Sequence, residues 1–309
     1  MRHIRLLVIA GIVCAAFAVP VVVFYARPPV LVITEAPFAA LYGEARLKQE
    51  RDSAARTLFR QVKPVVIADG VSPDMVIFAI TGVSPRPSCV LFPRSQAAAA
   101  LRFHEQFPEI PVVVLSGLVL VPELPPPDGF LCVYGTDRGV DLYRAGLFAG
   151  IMGIVPRNLT GQAEIPPEST KTYVLWQDRS IQEAERTLFS QGVRELNPES
   201  SVVFINTAAQ MPDVKGIACM TLTSAGAEYL ERNASIPLIL FSWLDPALIP
   251  REVVIQFDDS VWALAAPAAR LAMRKQAEGK IPSKPLIFSR KIADNNVSRM
   301  LEKAVKKMP

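Results

Sequence analysis

The chain has 309 residues, 50% hydrophobic and 20% charged, enough for a sizeable core and, at roughly 100–200 residues per domain, about two units. Its net charge of +4 is gathered at the start: Arg2, Arg5 and Arg27 lie in an acid-free stretch, and the remaining residues hold 30 basic against 29 acidic side chains. No basic stripe is left for a nucleic-acid backbone, which excludes that partner, and no charge run or low-complexity tract points to disorder.

Leu6–Tyr25 is a 20-residue stretch without a charge, behind Arg2, His3 and Arg5. At about 1.5 Å per helical residue it spans a hydrocarbon core of about 30 Å. The basic flank stays cytoplasmic and sends residues from about 28 onward outside. Three fates fit, in descending order. An uncleaved signal anchor uses the full apolar length and tolerates Pro20. Cleavage after Ala18 uses the small-x-small run Ala16-Phe17-Ala18. Lipidation at Cys14 comes last, because Val13 stands where a small residue is usual. A buried core helix is the plain alternative, opposed by the terminal position and the basic flank. All three fates place the rest outside the cytoplasm, tethered to the inner membrane or released into the periplasm.

From Val30 the chain alternates short apolar runs with helical stretches. Strands are expected at Val30–Thr34, Val65–Ala68, Met75–Thr81, Val90–Phe92, Pro111–Ser116 and Leu131–Thr136. A second series follows at Thr172–Trp176, Val202–Asn206, Ile217–Thr221, Leu238–Phe241, Val253–Phe257 and Leu286–Ser289. Most runs are continuously apolar, the pattern of strands covered on both faces of a parallel sheet. Helices are expected at Phe38–Arg60, closed by a turn at Lys63-Pro64, and at Gln96–Phe107, Val140–Gly153, Ser180–Gln191, Ser224–Asn233, Val261–Glu278 and Asp294–Lys307. Asp141 and Arg144 read as a solvated helix face. Repeated strand–helix–strand order gives an α/β fold of doubly wound parallel sheets with right-handed crossovers. There are too many strands for one sheet of usual size, and the series divides near residue 137.

Three stretches carry a family resemblance. Val133–Gly150 (VYGTDRGVDLYRAGLFAG) leads a strand into the opening helix of a second lobe. Leu238–Asp245 (LILFSWLD) followed by Val253–Ala263 (VVIQFDDSVWA) is similar to a return crossing. Ala277–Pro285 (AEGKIPSKP) is like the turn before a last strand. The layout resembles the type I periplasmic-binding-protein fold, and within it the basic membrane protein family of nucleoside-binding lipoproteins. That resemblance implies two lobes joined by three crossings: 28–136 plus 253–280, and 137–252 plus 281–309, behind the anchor or signal at 1–27.

In open parallel sheets ligands collect beyond the carboxyl ends of the strands. That rule selects Glu35, Phe38 and Tyr42 after the first strand, Gly82 and Ser84 after the third, and Ser116 after the fifth. It then selects Trp176 and Asp178, Asn206, and Ser242, Trp243 and Asp245, with Asp137 and Asp258 at the crossings. Each has a plainer role. Phe38 reads equally as a stacking ring and as packing for its own helix. Trp176 and Trp243 end apolar runs as core anchors do, although Asp178 and Asp245 place an acceptor beside each ring, as small polar rings and sugars require. Asp137 and Asp258 serve at least as readily as helix caps.

Material for catalysis is thin. His3 and His104 are the only histidines; His3 precedes the apolar span and His104 sits on a charged helix beside Glu105, so a Ser–His–Asp triad or a multi-histidine metal centre has almost no material. No GxSxG, GxGxxG or Walker-type motif occurs. Cys14, Cys89, Cys132 and Cys219 never form a CxxC pair; buried thiols are favoured over a disulfide. The expectation is a binding protein without metal or cofactor, serving an ABC-type importer. The alternative is a membrane-anchored sensory or interaction module on the same fold.

Overall fold

The computed structural model describes residues 18–116, 124–154, 171–175, 183–205, 217–220, 238–240 and 253–287. The chain divides into two compact units, Met1–Gly135 with Val261–Ile281, and Thr136–Ser260 with Pro282–Pro309. The backbone therefore passes between units after residues 135, 260 and 281. The expected strands and helices that fall at 221–237 and 288–309 lie outside the described residues.

In the first unit, β1 (Val30–Glu35), β2 (Val62–Ile67), β3 (Cys89–Pro93), β4 (Val112–Ser116) and β5 (Leu131–Thr136) form one sheet with β11 (Glu278–Ile281). The order is β11-β5-β4-β3-β1-β2. β1 pairs in parallel with β2 and β3, and β3, β4 and β5 follow in parallel. Val30 to Ile33, Val90 to Phe92 and Val112 to Val114 are all fully buried, as continuously apolar strands with both faces covered must be. Leu31, Ile33, Val90, Phe92, Val112 and Val114 point into one core with α3 (Pro73–Thr81) and α4 (Ala97–Gln106). The opposite face is covered by α2 (Glu44–Leu58) and α7 (Val261–Met273). Ala265, Ala268, Ala269 and Ala272 are all 0% exposed and let α7 lie close to β1, β3 and β4.

Several local expectations are corrected. Met75–Thr81 is helix, not strand. Ser72 precedes the helix in extended conformation, Pro73 occupies its first turn with Asp74 beside it, and Pro fits that position because it has no N–H to leave unpaired. Only Val76, Ile77 and Ile80 face inward, while Met75 and Phe78 are exposed; a short apolar run alone does not distinguish the two states. The expected long helix Phe38–Arg60 is two helices, α1 (Ala36–Tyr42) and α2, broken at Gly43 with φ 84°, a conformation open to glycine at little cost. The turn expected at Lys63-Pro64 falls earlier, at Phe59 in the left-handed region, and Pro64 lies within edge strand β2, where a missing N–H is tolerated. α7 ends at Met273, and Glu278, expected in helix, opens β11.

In the second unit, β6 (Lys171–Leu175), β7 (Ser201–Ile205), β8 (Ile217–Met220), β9 (Leu238–Leu240), β10 (Val253–Asp258) and β12 (Lys284–Ile287) form a sheet of order β12-β10-β9-β8-β6-β7. Its pairings are parallel except β12, which runs antiparallel to β10. Residues 253–260, expected with the first lobe, belong here: β10 bonds to β9 and β12, and the chain leaves this unit only after Ser260. Helices α5 (Arg138–Ile154) and α6 (Glu183–Leu196) pack through glycines. A Cβ at Gly146 would stand 2.2 Å from Phe189 O, and one at Gly192 2.2 Å from Tyr143 O.

Each unit thus repeats one plan, a five-stranded parallel sheet of order 2-1-3-4-5 with a sixth strand added from the chain's last third. Helix α5 follows the fifth strand of the first sheet but builds the second unit; α7 follows the fifth strand of the second sheet but builds the first. Among the described residues no helix is long and apolar enough to cross a membrane. The expected span Leu6–Tyr25 falls mostly on residues outside the described ones; residues 18–26 are helical, with Val19, Val21, Val22 and Tyr25 exposed.

Candidate functional site

In a 2-1-3-4-5 sheet the chain reverses its direction of growth between β1 and β3, and the crevice beyond the carboxyl ends of those strands is where such sheets bind ligands. Glu35 ends β1, and a 3-10 turn, Arg94–Gln96, follows β3. Gln96 Nε2 donates to Glu35 Oε1 at 2.7 Å across the switch point. Gln96 is buried and Glu35 half-buried. Gln96 was not among the expected site residues because the sequence reads it as a helix opening; its place three residues after the apolar run Cys89–Pro93 is the signal that marks it.

Behind this pair the site is closely packed. Thr34 is 1% exposed, and its hydroxyl accepts a hydrogen bond of 3.1 Å from Trp262 Nε1 on α7. Trp262 is also 1% exposed, so its N–H, which needs a partner once buried, is satisfied one residue from Glu35. Phe38 and Tyr42 stack on α1, centroids 5.2 Å apart at 24°. Phe38 is half-buried, whereas Tyr42 is only 1% exposed. Tyr42, expected to touch ligand, is packing that backs the Phe38 ring.

Gly82 and Ser84 are not at this edge. They follow helix α3, which returns the chain to the amino edge, where Ser84 O accepts from Lys63 Nζ at 3.3 Å near the start of β2. Their selection rested on a third strand that is a helix. Ser116 ends β4 at the carboxyl edge.

In the second unit, Asp137 caps α5: its Oδ1 accepts from Val140 N at 3.3 Å. Asp258, 0% exposed, accepts from Ser260 N at 3.1 Å where the chain turns toward α7. Asp137 performs the capping that acids at helix starts supply, whereas the Asp258 bond closes a local turn just ahead of α7. Asp141 and Arg144, expected on a solvated face, are not solvated. Asp141 is 6% exposed, its carboxylate accepts from Ser283 N at 2.9 and 3.1 Å, and Arg144 Nη1 donates to Ser283 O at 3.2 Å. Burial pushes the Asp141 carboxyl up to about 6, against the hydrogen bonds from Ser283 and the Arg144 charge. Trp176, Asp178, Asn206, Ser242, Trp243 and Asp245 lie outside the described residues.

Among the described residues no group of three or more His, Cys, Asp or Glu side chains is placed to hold a metal ion. His104 Nε2 lies 3.5 Å from Asp128 Oδ2. Asp128 Oδ1 accepts the N–H groups of Phe130 and Leu131 at 2.8 and 2.7 Å, and these backbone bonds hold its carboxyl below the usual range. That pair shapes the turn into β5. Cys89 and Cys132 are free and buried, and burial pushes both thiols up.

No family model matches the chain, and no curated protein matches it. Solved structures do. A transcriptional activator of the comK gene from Bacillus halodurans is similar at a TM-score of 0.55 and 14% identity, over 91% of this chain and 96% of that one. An ABC transporter solute-binding protein from Conexibacter woesei is similar at 0.52 and 12% identity, again over 91% and 96%. At these identities the likeness shows the fold, an α/β architecture of the kind found in type I periplasmic-binding-protein-like solute-binding proteins.

Proposed function

We propose that this chain binds a small polar solute outside the cytoplasm and hands it to an ABC-type importer, its two units closing on the solute through the three chain crossings. The observation that carries this is the Glu35–Gln96 pair at the β1–β3 switch point, backed by the Thr34–Trp262 bond and flanked by the Phe38 ring. A carboxylate beside a carboxamide offers acceptors and donors together, and an adjacent ring offers a flat apolar wall. Sugars and nucleosides present hydroxyls with a flat face in that combination. The nucleoside-binding lipoprotein branch, and contacts from Trp176, Asp178, Asn206, Ser242, Trp243 and Asp245, are the finer form of the same proposal. The likeness to a solute-binding protein supports it at the level of fold.

The test is a thermal-shift screen of the exported chain with nucleosides, pentoses, hexoses and amino acids. A solute at about 100 times its Kd stabilises the protein by about 2.7 kcal/mol, and Glu35→Gln should weaken a true hit at least tenfold while leaving the unliganded melting point within a degree or so. A panel without a shift ends the proposal. A second reading, a membrane-anchored sensory or interaction module, rests on the same fold, which a transcriptional activator also shares. It predicts that cross-linking the full chain in its own membrane captures a signalling partner and no permease.

A further inference from the structure

We infer that the arginines gathered at the end of α2, with Phe24, Tyr25 and Phe59 beside them, form a bilayer-contact surface that takes the phosphates of anionic phospholipid headgroups where the chain leaves the membrane. The inference rests on the reading that the uncharged run Leu6–Tyr25 stays in the hydrocarbon. The helix at 18–26 ends that run, and Val19, Val21, Val22 and Tyr25 are exposed on it. At about 100° per residue these side chains spread over more than one side, an apolar surface that a lipid core would cover.

The last turn of this helix is held against the first unit. The Phe24 ring meets Phe59 edge-on, centroids 6.0 Å apart, and Arg27 lies 5.3 Å over the same ring while donating to Phe59 O at 3.5 Å. Phe59 is the left-handed residue that closes α2, and it is 41% exposed. Three more arginines converge there. Arg56 donates to Asp52 O at 3.3 Å, Arg60 to the Ser88 hydroxyl at 2.8 Å, and Arg270, from α7, to Thr57 O at 3.4 Å. A helix end attracts some positive charge, but its dipole amounts to only about half a negative charge. Four guanidiniums exceed that several-fold. Among the described residues no carboxylate pairs with any of the four, and Asp52, one turn before Arg56, is engaged by Arg51. Burial and then the nearby Arg27 charge lower the Arg60 pKa, as like charges gathered without a counterion require.

Exposed arginines beside exposed rings at the mouth of an apolar helix match what a bilayer interface offers, phosphates and a shallow zone that favours amphipathic rings. A free phosphate would satisfy the guanidiniums but not the rings. β1 begins just after Arg27, so this surface lies at the amino edge of the first sheet. The Glu35–Gln96 pair then stands the length of β1, about 17 Å, from the headgroups.

The test is hydrogen exchange of the full chain in lipid nanodiscs, one set of neutral phosphatidylcholine and one with phosphatidylglycerol added. Amides of residues 56–63 should exchange about threefold more slowly in the anionic discs, and the difference should vanish at about 1 M salt, where the screening length is about 3 Å. Residues 36–42, at the other edge of the same sheet, should exchange alike in both and report that the unit is folded. Arg56→Gln with Arg270→Gln should remove the lipid dependence, and Arg56→Lys with Arg270→Lys should keep most of it. Millimolar inorganic phosphate with neutral discs should protect nothing; protection there makes the cluster an anion site and not a bilayer surface. Flotation with neutral vesicles reads the anchor by itself. A chain that stays off those vesicles overturns the anchored arrangement. One that floats but exchanges alike in both discs, or keeps its lipid dependence with Arg56→Gln and Arg270→Gln, overturns the arginine surface.

Discussion

Replacing Gly192 by alanine sets two physical effects against each other, and the structure decides between them. An alanine within a helix is favoured over glycine by about 1 kcal/mol, so helix propensity alone predicts a more stable protein. The Cβ, however, would meet Tyr143 O at 2.2 Å and Leu147 N at 2.9 Å, both backbone atoms of α5 that no side-chain rotation can move. Relief requires α5 and α6 to part by about 1 Å, and a gap of 0.5–1 Å forfeits roughly a quarter to a half of each dispersion contact along the seam. Phe189 and Val193, both 0% exposed, lie on that seam. Overpacking of this kind costs about 1–3 kcal/mol; with backbone on the other side the upper end applies, for a net loss of about 2 kcal/mol after the propensity gain. In a unit of this size that lowers Tm by roughly 4–8 °C. Gly146→Ala should behave alike, its Cβ falling 2.2 Å from Phe189 O. Because one separation relieves both clashes, the double variant should lose clearly less than the sum of the singles. Thermal and urea unfolding followed by far-UV circular dichroism measures all three. A Gly192→Ala protein as stable as the parent, or more so, refutes the close packing.

Thr34→Val should cost about 1–3 kcal/mol by leaving the buried Trp262 N–H without its acceptor, whereas Thr34→Ser should cost less and keep the tryptophan emission of the parent; equal urea midpoints for the two would remove the bond from the account of the site. The Asp141 carboxyl holds its proton to about 6 in the folded chain against 3.8 when unfolded, so its contribution to stability is full below about 3.8 and is lost as pH rises through 6. The span corresponds to about 3 kcal/mol at most. Urea midpoints from pH 3.5 to 8 should show this downward slope in the wild type and its absence in Asp141→Asn; parallel curves would contradict it. Cys89 and Cys132, buried and with raised thiols, should resist alkylation in the native chain and react promptly in urea; mass mapping that finds either labelled at the rate of a free thiol would be incompatible with their burial.

The continuous apolar runs at Val30, Val90, Val112 and Leu131 announced parallel strands because a strand covered on both faces leaves no polar alternation to read. Met75–Thr81 was misread for the same reason, since a short apolar run looks alike in either state, and only Ser72-Pro73-Asp74 ahead of it favoured helix. That error carried Gly82 and Ser84 to the wrong edge of the sheet. The position of Glu35 and Phe38 at the carboxyl end of β1 was legible from the apolar run that precedes them. Gln96 was not, because a partner 61 residues away in sequence is chosen by strand order.

Locally, then, the chain's own chemistry determined the alternation of strands and helices, the two-unit plan and the Asp137 cap on Val140. What tertiary structure alone decided was partnership across long separations: β10 joining the second sheet, Trp262 reaching Thr34, and Asp141 turning from an apparent surface charge into the buried acceptor of Ser283. Helical or strand periodicity records which face of an element is apolar. It carries no record of which distant segment will cover that face, and burial, bonding and ionisation all follow from that choice.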